Sequence, residues 1–248
     1  MPLLLSCKPL GVFLITCLMA GQSFALSNYR AEITATRHGA IDIKVDGVMT
    51  FISDVQGNWS LQLETDGGPI NSFERSVGET VDGEYRPLSY QRDSRVLFFK
   101  EHVDWQFDWG KEWLSGHVKK DFFEYSLVSP IHDPMSFQLP MRAALMQGDK
   151  SFAFQFMRHN RPVALKFEVI GEELLLLPSG RVHTLIIKQF WPLQSDQKKL
   201  IWVAPSLEFV PIRFATFDSG KIENDILVER LWLDDEEVNF QPETRDAR

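Results

Sequence analysis

Cysteine is nearly absent. The 248-residue chain has two, Cys7 and Cys17, and residues 26–248 hold none. This excludes a disulfide framework, a disulfide-linked partner, a thiol nucleophile and a cysteine zinc site in the body of the protein. Positive charge is also short, with 26 Lys+Arg against 34 Asp+Glu and a formal net charge of −8. Nucleic-acid binding needs a basic footprint, so that class is excluded. No stretch beyond residue 20 is apolar for long enough to span a bilayer, which takes about 20 residues. At 44% hydrophobic and 24% charged residues, the composition is that of a folded globular chain rather than a disordered one.

Recognisable catalytic sets are missing as well. The histidines are His38, His102, His117, His132, His159 and His183. No two stand at the i,i+2 spacing that puts two ligands on one strand face, or in an HExxH frame, so no metal or other cofactor is expected. Asp104 and Asp108 share a strand face, but four residues of strand separate them by about 13 Å. The two-carboxylate glycosidase mechanisms need about 5–9.5 Å. Ser195-Asp196-Gln197-Lys198 matches an S-x-x-K pattern, yet it sits in a polar hairpin and not at the start of a buried helix. There is no GxSxG, no GxxxxGK[ST] and no GxGxxG following a strand. Asn58-Trp59-Ser60 is a glycosylation sequon, relevant only in a host that uses it. The expectation is a non-enzymatic protein.

The amino terminus is built for export. Lys8 precedes an apolar run from Leu10 to Ala20, then Gly21-Gln22-Ser23-Phe24-Ala25. Small residues at Ser23 and Ala25 place a signal-peptidase cut after Ala25, which predicts a periplasmic mature protein. The rivals are an uncleaved anchor and lipidation at Cys17, although Thr16 is bulkier than the residue usually found before a lipidated cysteine. Domain boundaries are therefore expected at 1–25 (cleaved signal), 26–233 (one β domain) and 234–248 (acidic, disordered tail).

Period-two alternation dominates the rest. Val103, Trp105, Phe107 and Trp109 alternate with polar residues, as do Phe152, Phe154 and Phe156, and Val163, Leu165, Phe167 and Val169. Weaker strand signals cover 29–37, 41–53, 59–65, 85–92, 182–191, 199–203, 210–217 and 222–233. Asp82-Gly83, Pro178-Ser179-Gly180 and Asp218-Ser219-Gly220 supply turns. Such short connections favour antiparallel hairpins over parallel crossovers. One short helix is expected over about 133–147, with Asp133 as N-cap, Pro134 at its first position and Pro140 interrupting it. The fold class predicted is mainly β: a single curved antiparallel sheet forming a closed or nearly closed barrel, with the helix covering the sheet or plugging one end. Seven Trp and 19 Phe either fill the core or line a cavity for an apolar or aromatic ligand.

Ordered short motifs run through this body: Tyr85-Arg-Pro-Leu-Ser-Tyr90, Phe107-Asp-Trp109, His132-Asp-Pro-Met-Ser-Phe-Gln138, Gly171-Glu-Glu173, Pro178-Ser-Gly-Arg-Val-His-Thr184, and Leu200-Ile-Trp-Val-Ala-Pro205 leading to Phe209-Val-Pro-Ile-Arg213. In these the chain resembles the bacterial domain-of-unknown-function family 3108 (DUF3108), a group of exported proteins. The resemblance implies a periplasmic, mostly antiparallel β protein. It brings no activity and no catalytic residues. His132 stands where Gln is common before Asp-Pro, and Ser179 where Leu is common before Gly-Arg.

The recurring pieces have structural uses first: a helix start, a hairpin, a strand end. A functional reading makes Tyr85, Arg86, Tyr90, Arg181, Trp202 and Arg213 the lining of a site, since Arg holds carboxylate or phosphate and aromatics cover acyl chains or sugars. The leading expectation is binding or escort of an apolar or amphipathic, lipid-like envelope component. The second is a structural or assembly factor with an envelope protein partner. The third is a glycan or ester hydrolase.

Overall fold

The alternation resolves into one continuous sheet. The structure, a computed structural model, describes residues 26–67, 70–96, 98–127, 130–158, 160–190 and 197–240. Its first strands are β1 (Tyr29–Arg37), β2 (Ile43–Ser53), β3 (Asn58–Gly67), β4 (Ile70–Val81), β5 (Glu84–Val96), β6 (Phe99–Asp108), β7 (Trp113–Val118) and β8 (Asp121–Ser126). A short β9 (Ile131–His132) leads to helix α1 (Gln138–Met146). Then come β10 (Ser151–Arg158), β11 (Arg161–Leu177), β12 (Gly180–Phe190), β13 (Gln197–Ala204), β14 (Val210–Asp218), β15 (Lys221–Leu233) and β16 (Glu236–Glu237).

Every segment read as a strand is one, with shifted ends. Five strands were not foreseen: β4, β7, β8 and the two-residue β9 and β16. In β4 the inward positions are Glu74, Ser76 and Gly78, so no apolar alternation marks it. Two turns explain hairpin handedness. Asp82 and Gly83 hold φ of 53° and 82°, and Ser219 and Gly220 hold 48° and 79°. Left-handed pairs of this kind match the twist of the flanking strands.

The sheet order is β8-β7-β6-β5-β4-β3-β2-β1-β15-β14-β13-β12-β11-β10-β9, with β16 beside β15. Of the closed or nearly closed barrel expected, full closure does not occur: β8 and β9 are the two ends of this order and do not pair. The physical reason lies in the chain between them. After only Ile131 and His132 on β9 it leaves the sheet to build α1, and β9 itself pairs parallel to β10. The result is a curved sheet with a seam between β8 and β10. Strands β1, β3, β5, β7, β10, β12 and β14 end at one rim, here the mouth. Strands β2, β4, β6, β8, β11, β13 and β15 end at the opposite rim.

The helix is shorter than predicted. Asp133 does not cap it. Its carboxylate instead accepts hydrogen bonds from the Met135 and Ser136 amides, both at 2.8 Å, and so closes a turn ahead of α1. Pro140 falls in the first turn of α1, where no amide hydrogen is needed, so it starts the helix rather than breaking it. Met141 and Leu145 pack with Leu165, Phe167, Ile187, Ile201 and Val203 of one half of the sheet. Leu139 joins Met49, Trp105 and Leu114 of the other half. The helix thus fills the concavity between the two halves.

The segment from 234, expected to be a tail, begins ordered. Glu236–Glu237 pairs with β15 and Phe240 is buried. Residues 241–248, the expected export segment 1–25, His159, Trp191, Ser195 and Asp196 lie outside the described residues.

Two tryptophans pack across a strand pair onto glycine. Trp59 is the register partner of Gly78, and Trp105 of Gly116. A Cβ at Gly78 would stand 2.1 Å from the Trp59 ring and 2.3 Å from the Arg86 carbonyl oxygen. Gly78→Ala is therefore expected to cost about 2 kcal/mol through overpacking against backbone that cannot yield. A urea titration checks it: the midpoint falls with the slope unchanged, and an unaltered midpoint refutes the close contact.

Candidate ligand cavity

Above α1 the concavity is not filled. A cavity of about 430 Å³ opens toward the mouth. That lies in the range of small-molecule sites, about 300–1,000 Å³. The turn before α1 and the start of α1 form its floor through Met135, Phe137 and Gln138. One wall comes from β3 to β7, with Leu63, Tyr90, Val103, Trp105 and Val118. The other comes from β10 to β15, with Phe156, Met157, Phe167, Ile201, Phe214 and Ile226. Most of these side chains face inward because strand alternation puts every second residue there, which is the pattern that the sequence shows most clearly in β6 and β11; Phe156 and Met157 are successive residues of β10 that both touch the cavity.

Polar groups interrupt the apolar wall. Glu74 and Arg92 are direct cross-strand partners, with Arg92 Nε 3.3 Å from Glu74 Oε1. Arg92 also donates to Glu101, one strand over. Burial pushes the Glu74 carboxyl above its ordinary pKa, and the Arg92 guanidinium beside it opposes that shift. Burial likewise raises the Tyr90 hydroxyl. Behind Glu74, Asp133 is fully buried and accepts a 2.6 Å hydrogen bond from Ser76 Oγ. Burial raises its pKa too. The Trp105 indole N–H and the Gln138 side-chain oxygen, both buried on the cavity wall, have no hydrogen-bond partner among the described residues. A buried donor or acceptor left unmade costs about 1–3 kcal/mol, so a polar group entering here is rewarded.

The six residues read from sequence scatter over this architecture. Only Tyr90 lines the cavity. Tyr85, five positions away, would face the opposite side of a regular strand. The register shifts between Val77 and Gly78, so both tyrosines are buried inward. Tyr85 lies toward the end opposite the mouth, near Arg142, and burial raises its hydroxyl pKa. Arg86 pairs with Glu84 at 3.0 Å and lies over the Trp109 ring. Trp202 and Arg213 do come together, with the guanidinium 4.7 Å from the ring centroid. They do so away from the cavity. Trp202 Nε1 donates to Glu173 of the β11–β12 hairpin at 2.6 Å, and Arg213 holds Asp225 through two 2.8 Å hydrogen bonds. Arg181 opens β12 in that same hairpin, opposite Leu176. Ser179 at its tip donates to the Glu229 carbonyl, so the long hairpin reaches β15.

Sequence reasoning missed Glu74, Arg92 and Glu101. The available signal was cross-strand charge complementarity once β4 is paired with β5. Asp104 lies outside the cavity lining, and Asp108 is tied to Lys111 at 2.7 Å.

The opposite end is sealed by charge. Arg142 of α1 is fully buried, donates from Nε to the Glu208 carbonyl at 2.9 Å, and has Glu208 Oε2 3.4 Å from Nη2. Its guanidinium also lies over the Tyr29 and Phe51 rings, at 5.5 and 5.8 Å. Glu208 in turn accepts from the Ser27 amide and hydroxyl, at 2.8 and 2.7 Å. The helix, the β13–β14 connection and the start of the described chain are thereby fastened together.

A strongly curved antiparallel sheet, unclosed at one seam and holding a helix and a cavity in its concavity, defines a β-barrel-like domain. The chain belongs to the family described as protein of unknown function (DUF3108), which it matches over residues 27–226. It is similar in fold to the β-barrel-like protein of domain of unknown function DUF1849 from Brucella abortus. There the TM-score is 0.52 at 11% identity, covering 84% of this chain and 98% of that one. A candidate outer membrane lipoprotein-sorting protein domain from Vibrio parahaemolyticus aligns at a TM-score of 0.31 and 8% identity, over 84% of this chain and 85% of that one. A score that low carries no argument. No curated protein matches the chain in sequence.

Proposed function

We propose that this is an exported binding protein whose cavity takes the apolar portion of an amphipathic envelope molecule, without turning it over. The carrying observation is the mouth-facing cavity above α1, walled by aromatic, Met and aliphatic side chains. An interior meant only to be stable would close to about crystal packing density. The unpartnered Trp105 N–H and Gln138 oxygen supply a donor and an acceptor for the polar part of a guest. Glu74 and Glu101 are engaged by Arg92, which suits a fixed recognition wall rather than a free acid or base. The export segment supports a periplasmic location.

Native mass spectrometry of protein taken from its own envelope fraction tests the reading. A bound adduct is expected, along with displacement of a fluorescent fatty-acid probe. Ala215→Leu, which adds bulk to the cavity wall, is expected to weaken the probe about tenfold or more while the protein stays folded. Consistently bare protein with no probe binding overturns the reading.

A further inference from the structure

The mouth rim has a surface chemistry that the cavity does not explain. Three hairpins flank the seam there: β5–β6 and β7–β8 on one side, β10–β11 on the other. A second cavity of about 460 Å³ joins the last two, lined by Phe122 and Phe123 facing Arg158 and Arg161. Val118 and Arg158 line both cavities, so the two lie side by side at the seam.

Phe98, Phe99 and Phe122 at these tips are 95%, 79% and 58% exposed, and none belongs to either core cluster. Around them stand Arg95, Lys100, Lys119 and Lys120, with Arg158 and Arg161 across the seam, all exposed. Among the described residues of 95–100, 118–123 and 158–161, Asp121 is the lone acid. Arg158 and Arg161 are direct cross-strand partners, a like-charge arrangement that works against the hairpin in water. The opposite rim is acidic, with Asp54, Asp82 and the run Asp234-Asp235-Glu236-Glu237. An acidic chain has therefore gathered cations and phenylalanines beside the seam, while other hairpins of the same rim carry the exposed acids Asp42, Asp66 and Asp218.

We propose that this rim docks on an anionic lipid bilayer, with Phe98, Phe99 and Phe122 entering the interface and the Lys and Arg side chains facing the head groups. A bilayer fits better than an acidic protein. Phe98 and Phe99 share the β5–β6 tip and Phe122 stands on the β7–β8 tip, and lysine is depleted from the cores of protein interfaces. Basic residues beside interfacial aromatics are the pattern that binds anionic membrane surfaces. The inference does not depend on what the cavity holds.

Vesicle flotation of the exported protein tests it, using vesicles that contain phosphatidylglycerol and vesicles of phosphatidylcholine alone. Binding is expected only to the first, and high salt should release it. The double variant Lys119→Glu/Lys120→Glu is expected to weaken binding about tenfold or more, and Phe98→Ser/Phe99→Ser to weaken it as well. Val55→Ser, at an exposed position on the opposite rim, should change nothing. Each variant should keep its thermal melt and its displacement of the fatty-acid probe, which separates this surface from the cavity. No flotation at low salt overturns the proposal. So does equal flotation of all variants, or capture of an acidic protein by this rim without vesicle binding.

Discussion

Replacing His132 with Gln will flatten the acid limb of the stability profile. His132 is buried on β9, its ring edge-on to Phe154 at 5.7 Å, and its Nδ1 has no partner among the described residues. Burial pushes its pKa from 6.5 down to about 4. The folded state therefore holds the neutral ring, and the unfolded chain takes up a proton first as pH drops. The stability involved is fully present above the unfolded value of 6.5 and is lost as pH falls toward 4. At about 1.4 kcal/mol per pKa unit, His132 accounts for a loss of about 2.5 kcal/mol between pH 7 and pH 4.5. Glu74 and Asp133 act in the opposite sense. Burial raises both, so their contribution is fully present below their unfolded values and is lost as pH rises through the folded ones. The clean quantity is thus the difference between wild type and His132→Gln, from urea titrations at the two pH values. Gln is of similar length to His and cannot take up a proton in this range, so it isolates the titration. Parallel profiles for the two proteins would refute the assignment.

The second large effect concerns the charge under α1. Glu208→Gln leaves the Arg142 guanidinium buried without its counter-charge, while the Glu208 backbone carbonyl still accepts from Nε. Breaking a buried pair costs about 3–5 kcal/mol. Glu208 is itself about a third exposed, which screens the pair and lowers the expectation to about 2 kcal/mol. Arg142→Met should behave differently. It removes the charge, fills much of the same volume between Tyr29 and Phe51, and frees Glu208 to reach solvent. Exchanges of this kind are often neutral, so a change within about 1 kcal/mol is expected. Arg142→Ala leaves a hole beside two aromatic rings and should cost about 3 kcal/mol or more. Chemical denaturation of the three variants decides the matter. If Met and Ala prove equally damaging, the guanidinium itself, and not its volume, holds the helix.

The contrast between what alternation revealed and what it hid follows from the physics of strand faces. Trp105, Phe107, Leu165 and Phe167 announce their strands because a half-buried face must be apolar. Strand β4 was silent because its inward face is Glu74, Ser76 and Gly78. One of these meets an arginine, one an aspartate and one a tryptophan ring, and each pairing exists only after the strands are aligned. The same limit explains the candidate residues. Trp202 and Arg213 are both candidates from the sequence, but that they meet across β13 and β14, with Glu173 of β11 beside the indole and outside the cavity, shows only once the strands are aligned. Register shifts at Val77/Gly78 and Val169/Gly171 carry no compositional mark, and the first decides that Tyr85 and Tyr90 share a face. Asp133-Pro134 reads as the cap and first position of the helix, yet the carboxylate serves a preceding turn and α1 starts at Gln138.

A ring of strands hydrogen-bonded all the way round has its girth dictated by strand number and stagger. Here no ladder joins β8 to β10, so the circumference is not fixed by backbone geometry. Among the described residues, parting those two margins breaks no strand ladder, and the restraint on widening falls to side chains, among them the Ser76–Asp133 hydrogen bond that ties the turn after β9 to β4.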